Sequence, residues 1–360
     1  MEGWELMSEN VYKGCEFLIS DVPSSDVFTP GELTDEQRQI AETTEQFVAA
    51  EIEPHIEEID KQNFDPVVKG MKKCGEIGLL MIDAPEEYGG LELDKVTSMV
   101  VAEKIALAGS FSVVFSCHTG IGTLPLVYYG TPEQNEKYLE KIITGEWIAA
   151  YCLTEPGSGS DALSAGATAT LSDDGKYYLL NGTKQFITNG AFASLFTVFA
   201  KIDKSEFTAF LVERDFEGLV VGAEEKKLGI KGSSTTQIIL DNCKVPVENV
   251  LGQKGKGHKI AFNVLNIGRF KLGASVNGAA KIALAEGLSY ASERKQFGSP
   301  IGSFGAIQEK IADLTADIFA SESLIYRLAG LLDANLATID KGVENYYEKY
   351  QKGIEAVSYT

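Results

Sequence analysis

One short segment, Leu153–Asp161, combines residue types that bind phosphates with residue types that transfer protons. Its sequence, L-T-E-P-G-S-G-S-D, offers hydroxyls and glycine backbone to an anion, and its carboxylates, Glu155 and Asp161, are of the type used in general acid–base chemistry. A Walker loop needs a lysine, and a dinucleotide fingerprint needs G-x-G-x-x-G between a strand and a helix. Neither pattern is present, so the segment taken alone favours a plain Gly/Ser turn.

The thiol and imidazole side chains are too dispersed to predict a metal site or a disulfide framework. The cysteines are odd in number and form no C-x-x-C pair, which is typical of a reducing compartment. The histidines lie far apart in the sequence, and we predict no metal. These residues are Cys15, Cys74, Cys117, Cys152, Cys243, His55, His118 and His258.

Composition and charge exclude several classes of partner. The chain has 360 residues, 44% of them hydrophobic, and a formal net charge of −20. Such a surface repels nucleic acid and anionic membranes, so we expect neither as a partner. We find no apolar run of the length that a membrane span requires, and the N-terminus carries acids where a transit peptide carries arginines. We therefore predict a cytoplasmic protein.

The periodicity of apolar residues changes twice along the chain, which predicts an α–β–α order of domains. Residues 1–32 lack a clear period and are expected to form an irregular arm. Helical periodicity dominates residues 33–146, strand-like runs dominate 147–256, and helical periodicity returns over 257–360. The predicted fold class is therefore α+β and multidomain.

Capping and turn signals predict where several elements begin or end. T-D-E-Q at 34–37 is a capping box, and T-P-E-Q at 131–134 places a threonine N-cap before a proline. Pro54 should kink or restart the first helix, and Asp174-Gly175 predicts a tight hairpin. Further helices are expected over 66–82, 91–109 and on each side of 297–302. The predicted strands are Tyr177–Leu180, Phe186–Thr188, Leu195–Ile202, Phe207–Val212 and Gln237–Leu240.

Several further motifs follow the Gly/Ser segment in a definite order. Together with Y-C-L-T-E-P-G-S-G-S-D (151–161) they are N-G-T-K-Q-F-I-T-N-G (181–190), K-L-G-I-K-G-S-S-T (227–235), V-P-V-E-N-V-L-G (245–252), N-I-G-R-F (266–270) and E-R-K-Q-F-G-S-P-I (293–301). In this order and spacing the set resembles the acyl-CoA dehydrogenase family over roughly residues 33–355. It is most similar to the long- and very-long-chain branch and its bacterial relatives. Several long motifs in register make the resemblance highly specific.

This resemblance implies a fold, a cofactor and an assembly. Members of the family have an N-terminal helical domain, a central β-barrel domain and a C-terminal four-helix bundle, in agreement with the predicted α–β–α order. They bind FAD and form dimers or tetramers. We therefore expect FAD, a homodimer or homotetramer, and a C-terminal helical bundle that is incomplete in this chain. Missing bundle helices would leave the apolar face of Ile311–Leu331 exposed.

The resemblance also implies which residues contact the cofactor and the substrate. Residues of the Gly/Ser segment would line the flavin ring, with the Thr154 hydroxyl near its reactive edge, and residues of the 181–190 motif would cover its other side. The E-R-K-Q motif would reach the pyrophosphate and adenosine of FAD across a subunit interface. The implied cofactor contacts are Tyr151, Leu153, Thr154, Ser160, Phe186, Ile187, Thr188, Arg294, Lys295, Gln296 and Phe297. The implied acyl-CoA contacts are Ser160, Asn266 and Arg269.

The sequence departs from the family pattern at two positions, and several other residues are expected to have structural roles. The family often has tryptophan where Phe186 stands and glutamine where Gly305 stands. His118 is expected to be a structural histidine. Glu155 and Asp161 are expected to bond the loop's backbone and neighbouring side chains rather than act as bases. The runs Phe111–Phe115 and Leu124–Tyr129 are expected to be ordinary core rather than an acyl tunnel.

The implied reaction is α,β-dehydrogenation of an acyl-CoA thioester, in which a carboxylate takes the α-proton and the β-hydrogen leaves as hydride to the flavin. The family places its base either just before the arginine of N-I-G-R-F, which is Gly268 here, or in an E-G-T segment that this sequence lacks. We therefore leave the catalytic residue unassigned and expect the chain to be C-terminally incomplete.

Three functions remain open on the sequence. The favoured one is an FAD-dependent acyl-CoA dehydrogenase with an electron-transfer flavoprotein as acceptor. The second is a non-catalytic FAD- or acyl-CoA-binding fragment or interaction subunit. The third is an acyl-CoA oxidase, which would be reoxidised by oxygen.

Overall fold

The structure, a computed structural model, describes residues 20–21, 28–340, 346, 349–350 and 352–354. Most of the predicted arm, Cys15 and the last residues of the chain lie outside this part. The chain divides into two compact units. The helical unit comprises residues up to Gln46, Lys95–Leu107 and residues from Phe270 onward, and the mixed unit comprises Phe47–Asp94 and Ala108–Arg269. The domain limits inferred from the sequence stay predictions.

The secondary structure follows the predicted α–β–α order. The α-helices are α1 Asp35–Phe47, α2 Ile56–Asp60, α3 Asp65–Glu76, α4 Lys95–Ile105, α5 Ser110–Cys117, α6 Leu124–Tyr129, α7 Pro132–Ile143, α8 Gly257–Glu293 and α9 Gly305–Ala337. The strands are β1 Ala149–Cys152, β2 Thr168–Leu171, β3 Tyr177–Thr188, β4 Leu195–Ile202, β5 Glu206–Glu213, β6 Leu219–Glu224, β7 Thr235–Pro246, β8 Val250–Leu251, β9 Lys295–Gln296 and β10 Ser299–Pro300.

The predicted start signals are confirmed. The Thr34 hydroxyl accepts from the Gln37 N–H at 3.1 Å while the Gln37 side chain accepts from the Thr34 N–H at 3.0 Å, which closes the capping box of α1. Thr131 and Gln134 form the same pair at the start of α7. Pro54 lies where α1 has already given way to a π-helical turn and a 3₁₀ turn before α2 begins.

Strands β1–β8 form one sheet in the mixed unit, ordered β6-β7-β3-β2-β4-β5-β8, with β1 parallel to β4. The central β-barrel implied by the family resemblance is therefore wrong in detail, because the outer strands β6 and β8 do not pair and the described sheet stays open. The two predicted strands Tyr177–Leu180 and Phe186–Thr188 are one strand, β3. Their apparent separation reflects two irregularities in the pairing of β3 with β7.

One helical stretch corrects the statement that no apolar run could span a membrane. Residues Ser110–Tyr129, which include α5 and α6, are long and apolar enough to do so, but 67% of the most apolar window is buried inside the protein. Phe111 and Val114 are fully buried, as are Leu124 and Leu126. This burial is what a core helix of a folded domain shows, and it agrees with the prediction that these runs are core.

In the helical unit, α4 is held by polar contacts from α8 and α9. The Asp333 carboxylate accepts from the Lys95 and Val96 N–H groups at 2.6 and 2.9 Å and so caps the start of α4. Lys281 of α8 pairs with Glu103 of α4 at 2.8 Å. The expected exposure of the α9 face is only partly seen, because Leu314 and Leu324 are exposed whereas Leu331 is buried.

Candidate active site

The Gly/Ser segment forms a compact loop after β1 in the mixed unit. Glu155 and Ser158 exchange two backbone hydrogen bonds, at 2.9 and 3.1 Å, and the Ser158 hydroxyl donates to the Asp161 carbonyl at 2.7 Å. A Cβ built on Gly157 or Gly159 would meet no atom within 4 Å, so open space lies beside both glycines. Ser160 is exposed at the same place. The loop therefore presents bare backbone and a hydroxyl to a ligand.

Glu155 is engaged inside the protein rather than presented to a ligand. Its carboxylate lies 2.6 Å from Nζ of Lys184, and the two side chains are 9% and 0% exposed. It also accepts from the Gly166 and Ala167 N–H groups at 2.6 and 3.1 Å. Burial lowers the pKa of Lys184, while the neighbouring Glu155 opposes that shift. The structural role predicted for Glu155 is thus confirmed.

The Lys184–Glu155 ion pair also holds the start of the loop against β3. Lys184 Nζ donates to the Leu153 carbonyl at 3.3 Å, and the Gln185 N–H donates to the Thr154 carbonyl at 2.8 Å. Two predicted cofactor residues, Leu153 and Thr154, are in this way brought beside the 181–190 motif. Neither Lys184 nor Gln185 was among the predicted site residues.

A bulge in β3 displays the predicted aromatic contact. The pairing register with β7 shifts between Lys184 and Ile187, and Phe186 in the shifted segment has a φ of 59°. That conformation is unfavourable for a bulky residue. The Phe186 ring is 62% exposed, although it comes from a strand whose neighbouring residue Ile187 is buried. The bulge therefore turns one aromatic ring outward beside the Thr154 loop.

The Gln185 side chain bonds this bulge to strand β7 and to the residue that follows β6. Its Nε2 donates to Glu225 Oε1 at 2.6 Å, and its Oε1 accepts from Gln237 Nε2 at 2.9 Å. The sequence carried one indirect signal for the bulge, since the run N-G-T-K-Q (181–185) interrupts the apolar residues of β3. The partners Glu225 and Gln237 are too distant in sequence to be predicted from it.

Most of the remaining predicted flavin contacts of the mixed unit have buried side chains. The Tyr151 ring is buried against Phe199 at a centroid distance of 5.2 Å, and its hydroxyl donates to the Ala261 carbonyl at 3.1 Å. Leu153 and Ile187 are also buried. Thr188 is half-buried, and its hydroxyl contacts the Cys117 thiol, whose pKa is raised by burial to about 11. Thr154 and Thr188 are thus partly exposed residues that carry hydroxyls at this place.

His118 is fully buried beside the first residue of β1. Its Nδ1 accepts from the Ala149 N–H at 3.0 Å, and its Nε2 lies 3.1 Å from the Ile142 carbonyl. Because Nδ1 accepts, the neutral ring must carry its proton on Nε2. Burial lowers the pKa of His118 to about 4, partly opposed by the bond to Ile142. The structural role predicted for His118 is confirmed.

The predicted acyl-CoA residues of α8 lie side by side. Arg269 is exposed, and its Nη1 donates to Oδ1 of the buried Asn266 at 3.1 Å. A Cβ at Gly268 would lie 3.1 Å from Ile121, so α8 approaches the π-helical turn His118–Gly122 closely. In that turn Gly120 is buried, yet a Cβ built on it would meet no atom within 4 Å. Unfilled space therefore borders this turn inside the mixed unit.

The second group of predicted cofactor contacts belongs to the helical unit. Arg294, Lys295, Gln296 and Phe297 are all exposed on the short hairpin β9–β10, and Phe297 is 97% exposed with a φ of 51°. Its ring meets that of Phe304 edge-on at 6.2 Å. The two groups of predicted contacts therefore lie in different units. Across the described residues, no three His, Cys, Asp or Glu side chains are grouped to hold a metal ion.

Comparison with known proteins agrees with this architecture throughout the chain. Residues 34–146, 150–243 and 255–352 match the N-terminal, middle and C-terminal domains of acyl-CoA dehydrogenase, respectively. A probable acyl-CoA dehydrogenase of Bacillus subtilis is 51% identical over 91% of this chain and 55% of its own length. The very long-chain specific mitochondrial enzyme of Rattus norvegicus is 42% identical over 75% of this chain and 42% of its own length.

A solved structure, the acyl-CoA dehydrogenase of Bacillus anthracis complexed with FAD, superposes with a TM-score of 0.94 at 48% identity. It covers 96% of this chain, which in turn covers 60% of that one. The chain thus spans about half the length of the curated relatives it matches. With three consecutive domain matches over most of its length, the chain belongs to the acyl-CoA dehydrogenase family.

Proposed function

We propose that the protein is an FAD-dependent acyl-CoA dehydrogenase that forms an α,β double bond in a fatty acyl-CoA thioester. The observation that carries this proposal is the outward ring of Phe186, held on a strained bulge beside the Thr154 loop. A planar aromatic cofactor is a fitting partner for such a ring. The family membership of the chain points to the same cofactor.

The residues present fit the chemistry that FAD requires. Thr154 and Thr188 are partly exposed and carry hydroxyls, and the open space beside Gly157 and Gly159 leaves backbone accessible. Phosphates need cations, and the family resemblance implies that Arg294 and Lys295, exposed in the helical unit, supply them across a subunit interface in a protein of net charge −20. When bound, FAD would supply the acceptor for the hydride that leaves the substrate's β-carbon.

The chain's own residues would then bind and orient the two ligands. Asn266 holds the Arg269 guanidinium at 3.1 Å, which favours contact of that cation with an anionic CoA group. Ser160 would contact the thioester end, and the unfilled space beside Gly120 is suited to an apolar chain. Gly268 has no side chain to act as a base, and Glu155 is held by Lys184, so we assign the base to neither.

A second function is favoured by those last two observations. If no carboxylate of this chain reaches the substrate's α-carbon, the chain would bind FAD and acyl-CoA without turnover. We also propose, from the family resemblance, a homodimer or homotetramer, an electron-transfer flavoprotein as acceptor, and a cytoplasmic location. The four described cysteines, all unpaired, agree with a reducing compartment.

Anaerobic mixing of the FAD-loaded chain with a long-chain acyl-CoA is expected to bleach the visible flavin absorbance in a stopped-flow instrument. Bleaching of the flavin absorbance supports dehydrogenation. A spectral shift without bleaching supports the second function for this chain, and absence of both FAD and acyl-CoA binding contradicts both. Reoxidation by oxygen as fast as by an electron-transfer flavoprotein would indicate an oxidase.

Arg269→Gln serves as the matched variant in that experiment. It keeps a hydrogen-bonding side chain beside Asn266 but removes the cation. We expect the acyl-CoA concentration for half-maximal response to rise about tenfold, as for loss of one charge-assisted bond, while FAD content stays unchanged. An unchanged acyl-CoA response would contradict the proposed role of Arg269.

A further inference from the structure

The Phe186 bulge has a backbone conformation that must be maintained by its surroundings. A phenylalanine at a φ of 59° lies in the left-handed region, where non-glycine residues are held only when neighbouring contacts over-determine them. The ring itself is 62% exposed and contributes little packing to hold the conformation. Residues adjacent to Phe186 in the chain make the contacts that can restrain it.

Gln185 provides that restraint on the N-terminal side through three hydrogen bonds. Its N–H reaches the Thr154 carbonyl at 2.8 Å, and its amide group bridges Glu225 at 2.6 Å and Gln237 at 2.9 Å. The bond to Glu225 is to a carboxylate, which makes it stronger than a bond between neutral groups. One side chain thus links the bulge to β7 and to the residue that follows β6.

On the C-terminal side the bulge is fixed independently of Gln185. Ile187 is buried, and Asn189 donates from its side chain to the Val114 and Ala149 carbonyls at 3.2 and 3.3 Å. Removal of the Gln185 amide should therefore free the bulge locally without unfolding the strand. This makes the contribution of Gln185 separable by mutation.

We propose that Gln185 is a positioning residue, whose side-chain amide clamps the bulge so that the Phe186 ring is presented to the flavin. This inference rests on the proposed function, since it assigns the ring to FAD. Gln185 itself would not contact the reacting atoms. Its effect on the cofactor is expected to pass through the ring of Phe186.

The test uses Gln185→Met, which keeps the length of the side chain and removes both amide bonds. We expect the dissociation constant of FAD, measured by quenching of flavin fluorescence, to rise about tenfold, as for loss of a hydrogen bond to a charged group. In a Phe186→Ala background the same change should have no further effect, because the ring through which Gln185 acts is gone. In the cofactor-free protein, backbone hydrogen exchange at residues 185–187 should be faster in Gln185→Met.

Asn181→Leu is the matched control, because Asn181 is another amide on β3 that bridges to β7, through Asn242 at 3.2 Å. It should leave FAD affinity and exchange at 185–187 unchanged. Unchanged affinity and exchange in Gln185→Met would overturn the proposal, as would an equal loss of affinity with and without the Phe186 ring. If the wild-type chain fails to bind FAD, the proposed function fails, and the exchange measurement still decides whether Gln185 clamps the bulge.

Discussion

Replacement of Lys184 by methionine is expected to lower the free energy of unfolding by about 3–5 kcal/mol. The reason is the burial of its partner, since the Glu155 carboxylate would remain in a site that is only 9% exposed and would lose its 2.6 Å contact with a cation. The Leu153 carbonyl would lose a donor at the same time. Urea unfolding followed by far-ultraviolet circular dichroism measures the change.

Two further variants test whether the loss of stability comes from burial of the Lys184–Glu155 pair. The double variant Lys184→Met/Glu155→Gln should regain part of the loss, because the glutamine leaves no buried charge while its oxygen can still accept from Gly166 or Ala167. Lys254→Met removes one side of the exposed Lys254–Glu206 pair in the same unit and should change stability little. If Lys184→Met behaved like Lys254→Met, the buried pair would not be a stabilising element of the loop.

The protein is expected to lose about 3 kcal/mol of stability through His118 as the pH falls from 6.5 to about 4. The pKa of this histidine is lowered in the folded protein, so in that interval the unfolded chain binds a proton that the folded chain does not. The contribution is fully present above 6.5, declines as the pH falls, and changes no further below about 4. A proton on Nδ1 would also oppose the Ala149 N–H, which donates to that atom.

The His118→Gln variant isolates this effect from the titration of carboxylates. A glutamine can accept from one backbone group and donate to another without titrating in this range. As the pH falls towards 4, the unfolding free energy of the wild type should therefore fall more than that of His118→Gln. His55→Gln, at an exposed position, should follow the wild type. Parallel pH profiles for wild type and His118→Gln would disprove the assignment.

Local sequence signals determined where several elements begin and the α–β–α order along the chain. The capping boxes at Thr34 and Thr131 form as predicted, because their bonds join residues three positions apart. The turn at Asp174-Gly175 forms for the same reason, with the Asp174 carboxylate accepting from Ser172 and Lys176. The α–β–α order and the family could likewise be predicted, since motif order along the chain is preserved whatever the contacts are.

Other features could not be predicted from the sequence, because they depend on pairs that are distant along the chain. Strand composition does not show whether the outer strands β6 and β8 pair, and the sheet proved to be open. The structural role of Glu155 was expected, but its partner was not, because Lys184 lies 29 residues away in the sequence and 2.6 Å away in the fold.

The Gly/Ser segment and the Phe186 bulge show this division most clearly. From the sequence alone, Thr154 and Phe186 lie in two motifs that resemble those of one family, and this resemblance predicted that both line the same site. Only the tertiary structure decided that Phe186 turns outward on a bulge, and that Gln185 is bound to Glu225, 40 residues away. The side-chain direction on a strand depends on register, and register depends on the partner strand rather than on local propensity.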